Sequence, residues 1–242
     1  MGVEGIAAVV VLCGGRGTRL QEHTRAIPKP LVEIGGQPIV WHVIRLYAAA
    51  GLQRFLLCTG YMGEAIEAWV RETQWPAGVD VQCVQTGLET PTGGRIRRVA
   101  AHVGEGTFCV TYADGVADID LHALVAFHRA HGALATMTVV RPELPFGVVD
   151  VRGPDGEVAG FHEKPRSDHW INGGFFCFEP GVLDYLSDAS VLEREPMERL
   201  ADDGQLRAYR HTGFWECMDT YKDAVALNDL WSADTAPWRV WT

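Results

Sequence analysis

Hydrophobic and polar positions along this 242-residue chain fall into two rhythms. Short, continuous apolar runs ended by glycine or a small polar residue mark strands buried on both faces. Ile6 to Leu12, Arg54 to Thr59 and Thr107 to Tyr112 have this form, and Val79 to Gln85 alternates well enough to be a further strand. Between them the period lengthens to that of a helix. Pro38 to Ala50 carries Val40, Val43, Ile44 and Tyr47 on one face, with proline in its first turn and Gly51 just past its end. Gly63 to Glu72 turns Ile66, Trp69 and Val70 inward, another helix runs through Val103, and one more covers Leu121 to His131. Strands alternating with helices predict an α/β chain with a mostly parallel sheet.

The rhythm changes after His131. Ala135 to Val140, Gly147 to Val151, Glu157 to His162 and Gly173 to Phe178 read as short strands, two of them joined by the Gly153-Pro154-Asp155-Gly156 turn. They predict a small antiparallel or mixed extension over one end of the sheet, with a pocket between the halves for a second substrate. Short helices near Val182 to Leu186 and Pro196 to Asp203, a strand near Leu206 to Arg210 and a last helix from Tyr221 to Trp231 follow. The Trp-rich tail, Trp231 to Trp241, is expected to pack onto the body or a neighbouring subunit, since exposed indoles are costly. No repeat or linker interrupts the chain, so residues 1–242 read as one domain.

Composition is that of an ordinary globular chain, 47% hydrophobic and 21% charged. The net charge of −10 argues against nucleic acid or an anionic membrane as partner. Six cysteines, at 13, 58, 83, 109, 177 and 217, are scattered without a C-x-x-C, which predicts reduced core thiols. With no run of membrane-span length and no basic leader, a cytoplasmic protein is expected.

Against that acidic background, one stretch gathers cations and glycines. Leu12-Cys13-Gly14-Gly15-Arg16-Gly17-Thr18-Arg19-Leu20 follows the first strand, and Pro28-Lys29-Pro30 comes soon after. Glycines let backbone N–H groups converge on phosphate oxygens, with Arg16, Arg19 and Lys29 adding charge. The flanking prolines are expected to keep Lys29 extended. An ordinary glycine turn is the competing reading, but the Thr-Arg pair and the Pro-Lys-Pro favour a phosphate loop. It is neither a Walker loop nor a dinucleotide fingerprint. A second glycine loop, Thr86 to Arg95, opens a helix. Asp114 ends a buried strand, where open α/β sheets bind ligands, although an acid there also forms turns. Asp118 and Asp120 look like caps, and Asp219 or Thr220 stands where it could cap the last helix. His122, His128 and His131 lie on one helix without further ligands at metal spacing, and suggest a solvated or packed face, not zinc.

In combination, G-G-x-G-T-R-L and P-K-P resemble the signature of the sugar-1-phosphate nucleotidyltransferases. Pro30 to Ile39 with Trp41-His42 is most similar, within that family, to the glucose-1-phosphate cytidylyltransferases. The resemblance implies a Rossmann-like, mostly parallel mixed sheet of the nucleotide-diphospho-sugar transferase type. It implies in-line attack of a sugar-1-phosphate on the α-phosphorus of CTP, with glucose-1-phosphate as the acceptor and Mg²⁺ as cofactor. Catalytic roles then fall to Arg19, Lys29, Asp114 and Lys164. The nucleotide would meet Leu12, Gly14, Gly15, Gly17, Thr18, Arg19 and Lys29 on the first loop, and Gly87, Thr92, Gly93 and Arg95 on the second, with Arg95 reading cytosine. The sugar phosphate would meet Gly147, Glu163, Lys164, Asn172 and Gly173, and the metal Asp114 and Asp219. A homo-oligomer is expected. The chain departs from the family at Cys13, Ile27 and Ala113, and its Trp69 to Gly87 connection is shorter than in the cytidylyltransferases. A sister enzyme using UTP, dTTP, GTP or another sugar phosphate fits the same residues. A non-catalytic nucleotide-sugar sensor fits less well, because it predicts erosion of Lys29, Asp114 or Lys164, all of which are present.

Overall fold

Val9–Leu12 (β1) begins a computed structural model that describes residues 2–17 and 27–241. A single helical turn at Lys29–Leu31 leads to a tight hairpin of Glu33–Ile34 (β2) and Gln37–Pro38 (β3). Its turn residues, Gly35 and Gly36, have φ of 60° and 74°, the positive values that a two-residue hairpin turn demands. Then come Ile39–Ala49 (α1), Arg54–Thr59 (β4), Gly63–Glu72 (α2), Asp80–Gln85 (β5), Thr92–Val103 (α3) and Phe108–Tyr112 (β6). The second half holds Gly115–Ala117 (β7), Leu121–His131 (α4), Ala135–Val140 (β8), Val148–Arg152 (β9), Glu157–His162 (β10) and Ile171–Phe178 (β11). Glu195–Asp202 (α5), Leu206–Arg210 (β12), Trp215–Cys217 (β13) and Tyr221–Ser232 (α6) complete it.

The main sheet has seven strands in the order β12-β8-β11-β6-β1-β4-β5. β1 runs parallel to β4 and β6, β4 to β5, and β12 to β8, while β11 is antiparallel to both β6 and β8. One reversed strand therefore stands in an otherwise parallel sheet. The four short strands expected to extend one end of the sheet divide between two places. β8 and β11 are absorbed into the sheet, and only β9 and β10 form a two-stranded antiparallel hairpin of their own. The reason is legible in β11: Phe175, Phe176, Cys177 and Phe178 are consecutive and all buried, so both faces need cover, which only an interior position supplies.

A correction concerns Lys29, which opens a helical turn where an extended backbone was expected: Leu31 N–H reaches Pro28 O at 2.8 Å and Val32 N–H reaches Lys29 O at 3.1 Å. Pro30 fits this turn because an N–H in the first helical turn would have no intrahelical partner. The tryptophan tail packs onto the body, as expected. Trp238 is wholly buried against His42 and Trp231, with ring centroids 6.2 and 6.4 Å away. His42 Nε2–H donates to Ile34 O at 2.8 Å, and Nδ1 accepts from Trp238 Nε1–H at 3.3 Å. Burial pushes the pKa of His42 down to about 4.

At the opposite end of α4 from its Asp120 cap, two histidines serve a hydrogen-bonded chain. His131 Nδ1 accepts from Ala133 N–H at 2.9 Å, so Nε2 carries the proton and donates to Thr136 Oγ1 at 2.7 Å. The Thr136 hydroxyl is then left to donate to His128 Nδ1 at 2.8 Å, and His128 Nε2–H to Glu179 at 3.1 Å. Both rings are satisfied in this neutral arrangement, and burial lowers the pKa of each. His122 is exposed.

Candidate active site

The parallel strands β1, β4 and β6 end at one edge of the sheet, and the glycine loops leave from that edge. Between the two loops lies Arg95, only 4% exposed. Its Nη1 donates to Thr59 O at 3.1 Å and Thr86 Oγ1 at 2.7 Å; its Nη2 donates to Gly14 O at 3.0 Å and Leu88 O at 3.3 Å. A buried arginine so engaged is a tie between loops, with its charge spread over three carbonyls and a hydroxyl. Gly14 must be glycine for this reason, since a Cβ there would sit 1.9 Å from Arg95 Nη1.

In front of this tie opens a cavity of about 520 Å³, whose wall includes Leu12, Gly15, Gly17, Lys29, Thr92, Asp114 and Asp219. The Lys29 ammonium donates to Asp219 Oδ1 at 2.8 Å and to Asp114 Oδ2. Burial opposes the charge on Lys29, but the two carboxylates outweigh it and hold its pKa above the ordinary lysine value. Each acid is placed by backbone. Asp114 follows β6, and its carbonyl accepts Met218 N–H at 2.9 Å. Antiparallel pairing of β7 with β13 puts Cys217 opposite Gly115 and so brings the segment before α6 alongside Asp114. Capping of α6 falls to its neighbours: Thr220 Oγ1 accepts Asp223 N–H at 3.3 Å, and Asp223 Oδ2 accepts Thr220 N–H at 2.7 Å. Asp219 is thus spared that duty and turns its carboxylate to the cavity.

A second cavity of about 190 Å³ shares Tyr112, Asp114, Cys217 and Asp219 with the first and reaches Asn172, Gly173 and Gly174. A polar chain runs behind both. Thr92 Oγ1 donates to Glu193 Oε2 at 2.7 Å, the Tyr112 hydroxyl donates to Glu193 Oε1 at 2.5 Å, and Asn172 Nδ2 donates to that hydroxyl at 3.1 Å. Burial and then the Glu193 charge raise the Tyr112 pKa, which keeps the hydroxyl protonated and donating. Tyr112, Glu193 and Cys217 were not singled out from sequence. Tyr112 could have been, as the residue two before Asp114 at the same strand end; Glu193 and Cys217 carry no local signal.

Of the anticipated nucleotide residues, Leu12, Gly15, Gly17, Lys29 and Thr92 line the larger cavity. Gly14 and Arg95 lie behind it, and Gly93 serves packing, since a Cβ there would stand 2.8 Å from Ser190 O. Gly87, at φ 95°, turns the second loop. Thr18 and Arg19 lie outside the described residues. Of the sugar-phosphate residues, Asn172 and Gly173 line the smaller cavity. Gly147 and Glu163 meet at the base of the β9–β10 hairpin, where a Cβ on Gly147 would be 3.1 Å from Glu163 Oε2. Lys164 beside them is exposed, at a φ of 45°, and neither cavity includes it. Cys83 and Cys217 depart from the expected core thiols, since both are only half-buried and Cys217 stands in the wall of both cavities; Cys58, Cys109 and Cys177 are buried, as is Cys13, which touches the larger cavity. None of the six cysteines is in a disulfide.

A family model described as nucleotidyl transferase matches residues 8–229. The chain is 42% identical to the glucose-1-phosphate cytidylyltransferase of Salmonella typhimurium, over 96% of this chain and 98% of the relative. It is 40% identical to a probable glucose-1-phosphate cytidylyltransferase of Bacillus subtilis, over 96% and 99%. These alignments run to 259 and 253 positions, more than the chain's own 242 residues, so both relatives carry residues that it lacks. A solved UDP-glucose pyrophosphorylase complexed with UDP-glucose superposes with a TM-score of 0.74 at 16% identity, covering 95% of this chain and 99% of that one, and shares the fold. No helix among the described residues is long and apolar enough to cross a membrane. With two glycine loops on one sheet edge, a lysine between two aspartates and relatives aligned nearly end to end, the chain belongs to the nucleotidyl transferase family of sugar-1-phosphate nucleotidyltransferases.

Proposed function

We propose that this chain transfers the cytidylyl group of CTP to glucose-1-phosphate, forming CDP-glucose and pyrophosphate. The observation that carries the reading is the shared wall of Tyr112, Asp114, Cys217 and Asp219 between a larger cavity under the glycine loops and a smaller one at Asn172. Two bound anions would meet there.

The acceptor phosphate is already an anion, so no general base is required, and catalysis reduces to positioning and charge neutralisation. Backbone N–H groups of the first loop, with Thr18 and Arg19, hold the triphosphate. Lys29 is poised between the aspartates and swings its ammonium toward phosphate oxygens when the nucleotide enters. Asp114 and Asp219 are the residues that would hold Mg²⁺; an ammonium already sits between their oxygens, so the donor set suits a hard cation. When bound, that ion supplies charge neutralisation at the α-phosphate. Tyr112 and Glu193 keep Asn172 aimed at the sugar, Gly147 and Glu163 take sugar hydroxyls, and Lys164 takes the acceptor phosphate. Arg95 enters base recognition by holding the loops that flank the base. The chain works as one domain in the cytoplasm, in a homo-oligomer.

Initial rates of pyrophosphate release across CTP, UTP, dTTP and GTP, each with a panel of sugar-1-phosphates, test this. The expected outcome is a preference of about tenfold or more for CTP and glucose-1-phosphate, the scale of one mismatched buried hydrogen bond. A clear preference for another nucleotide rejects the cytidylyl specificity and leaves the nucleotidyl transfer intact.

A further inference from the structure

Cys217 is the last residue of β13 and lines both cavities. Its Sγ and one carboxylate oxygen each from Asp114 and Asp219 all lie within 4.8 Å of one another. This is the one such trio among the described residues. It is held by pairing of Cys217 with Gly115 and by the hydrogen bond from Met218 N to Asp114 O at 2.9 Å. A cation already occupies the place, because the Lys29 ammonium bridges the two carboxylates.

We infer that the divalent-cation site of this chain contains a thiol donor, Cys217, and therefore takes thiophilic divalent ions of the Zn²⁺ class in competition with Mg²⁺. The inference rests on the reading that Asp114 and Asp219 hold the catalytic cation. Mg²⁺ prefers oxygen and keeps its waters, so sulfur adds little for it. Zn²⁺ and Co²⁺ gain from a thiolate. With metal–sulfur and metal–oxygen bonds of about 2.3 and 2.1 Å, the donors of a tetrahedral ion stand about 3.4 to 3.6 Å apart. Side-chain rotation that moves these atoms by about an ångström closes the trio, with Lys29 turned away. As the sulfur–metal bond forms, the thiol proton leaves to solvent; no electron is transferred.

Cobalt(II) and manganese(II), added to the whole chain without nucleotide, separate the inference from the reading it rests on. The expected result is a sulfur-to-cobalt charge-transfer absorption in the near ultraviolet, saturating near one equivalent. It should disappear in Cys217→Ser and Cys217→Ala and weaken in Asp114→Asn. Manganese binding, read by its paramagnetic resonance, should weaken by about tenfold or more in Asp114→Asn and change little in the cysteine variants. Manganese binding that depends on Asp114, without any cobalt–sulfur absorption, overturns the thiol donor and spares the cation site. Absorption persisting in both cysteine variants assigns another cysteine and also overturns it. Loss of Asp114-dependent binding for both ions overturns inference and reading together. Circular dichroism of each variant verifies that a lost signal is not lost fold.

Discussion

The Lys29–Asp114–Asp219 knot and the β9–β10 hairpin carry charged residues assigned to the same reaction, but they are placed by different means. At the knot, side chains from three distant segments meet with exposures of only 13%, 20% and 32%, Lys29 on a helical turn, Asp114 at a strand end and Asp219 before a capped helix. On the hairpin, Val149, Val151, Val158 and Phe161 are 43% to 64% exposed, and its two strands pair only with each other. An isolated hairpin is marginal in water, so its stance depends on a few contacts at its base, such as Gly147 against Phe161 and Glu163. Groups proposed to neutralise the reacting phosphate are built where the sheet ends, and groups proposed to grasp the second substrate ride on an element held at its base alone.

The largest effect is expected at the knot. Asp114→Asn should leave the fold intact and lower Mg²⁺-dependent turnover by about 10²-fold or more, the scale of removing one preorganised charged group. Near-normal turnover at saturating Mg²⁺ would take Asp114 out of the chemistry and erase the contrast with the hairpin.

The packed side of the molecule should also fail first in acid. The folded pKa of His42, about 4, is below its unconstrained value of 6.5. The unfolded chain therefore takes up the proton first. Stability is full above pH 6.5 and falls as pH drops toward 4, by about 3 kcal/mol, the free energy equivalent to that difference in proton affinity. His128 and His131 are displaced in the same direction. Denaturant melts of wild type and His42→Leu over that window test this; equal slopes with pH would show that His42 does not titrate as inferred.

A smaller and more selective effect is expected on the hairpin side. Lys164→Ala should raise KM for the sugar phosphate by about tenfold and leave KM for the nucleotide nearly unchanged. Its backbone, at a φ of 45°, loses little from the shorter side chain. A change confined to the nucleotide KM would reverse the division of labour between the two regions.

The smallest effect is expected on the outer face of the hairpin. Val151→Thr, at a side chain 64% exposed, should alter stability by no more than about 0.5 kcal/mol in urea melts. A larger loss would mean that this face is covered in solution, and the hairpin would then be as firmly placed as the knot.

Much of this was legible in the chain. Val9–Leu12, Arg54–Thr59 and Phe108–Tyr112 are apolar runs that read as buried strands, and the glycines after β1 marked a loop, whose Gly15 and Gly17 line the larger cavity. Asp114 at a strand end was readable because it depends on immediate neighbours, whereas the prolines around Lys29 pointed to an extended backbone and the chain makes a helical turn there. Local pattern left three matters open: whether Asp219 caps or faces the site, where β11 goes, and what Arg95 does.

Those were decided by contacts between residues far apart in sequence. Asp219 reaches the cavity because Thr220 and Asp223 complete the cap and because Lys29, 190 residues away, draws its carboxylate. Arg95 becomes a tie because its guanidinium meets Gly14 O, 81 residues away, and Tyr112 becomes part of the site through Glu193, again 81 residues away. Hydrophobic period reports which face of a segment must be covered, but it carries no record of what covers it. The chain by itself thus determined its strands, helices and glycine turns, through local sterics and burial. Only the tertiary structure decided which strand entered the sheet reversed, which acid faced the lysine, and which cysteine stood beside them, because each of those outcomes is a pairing between distant segments.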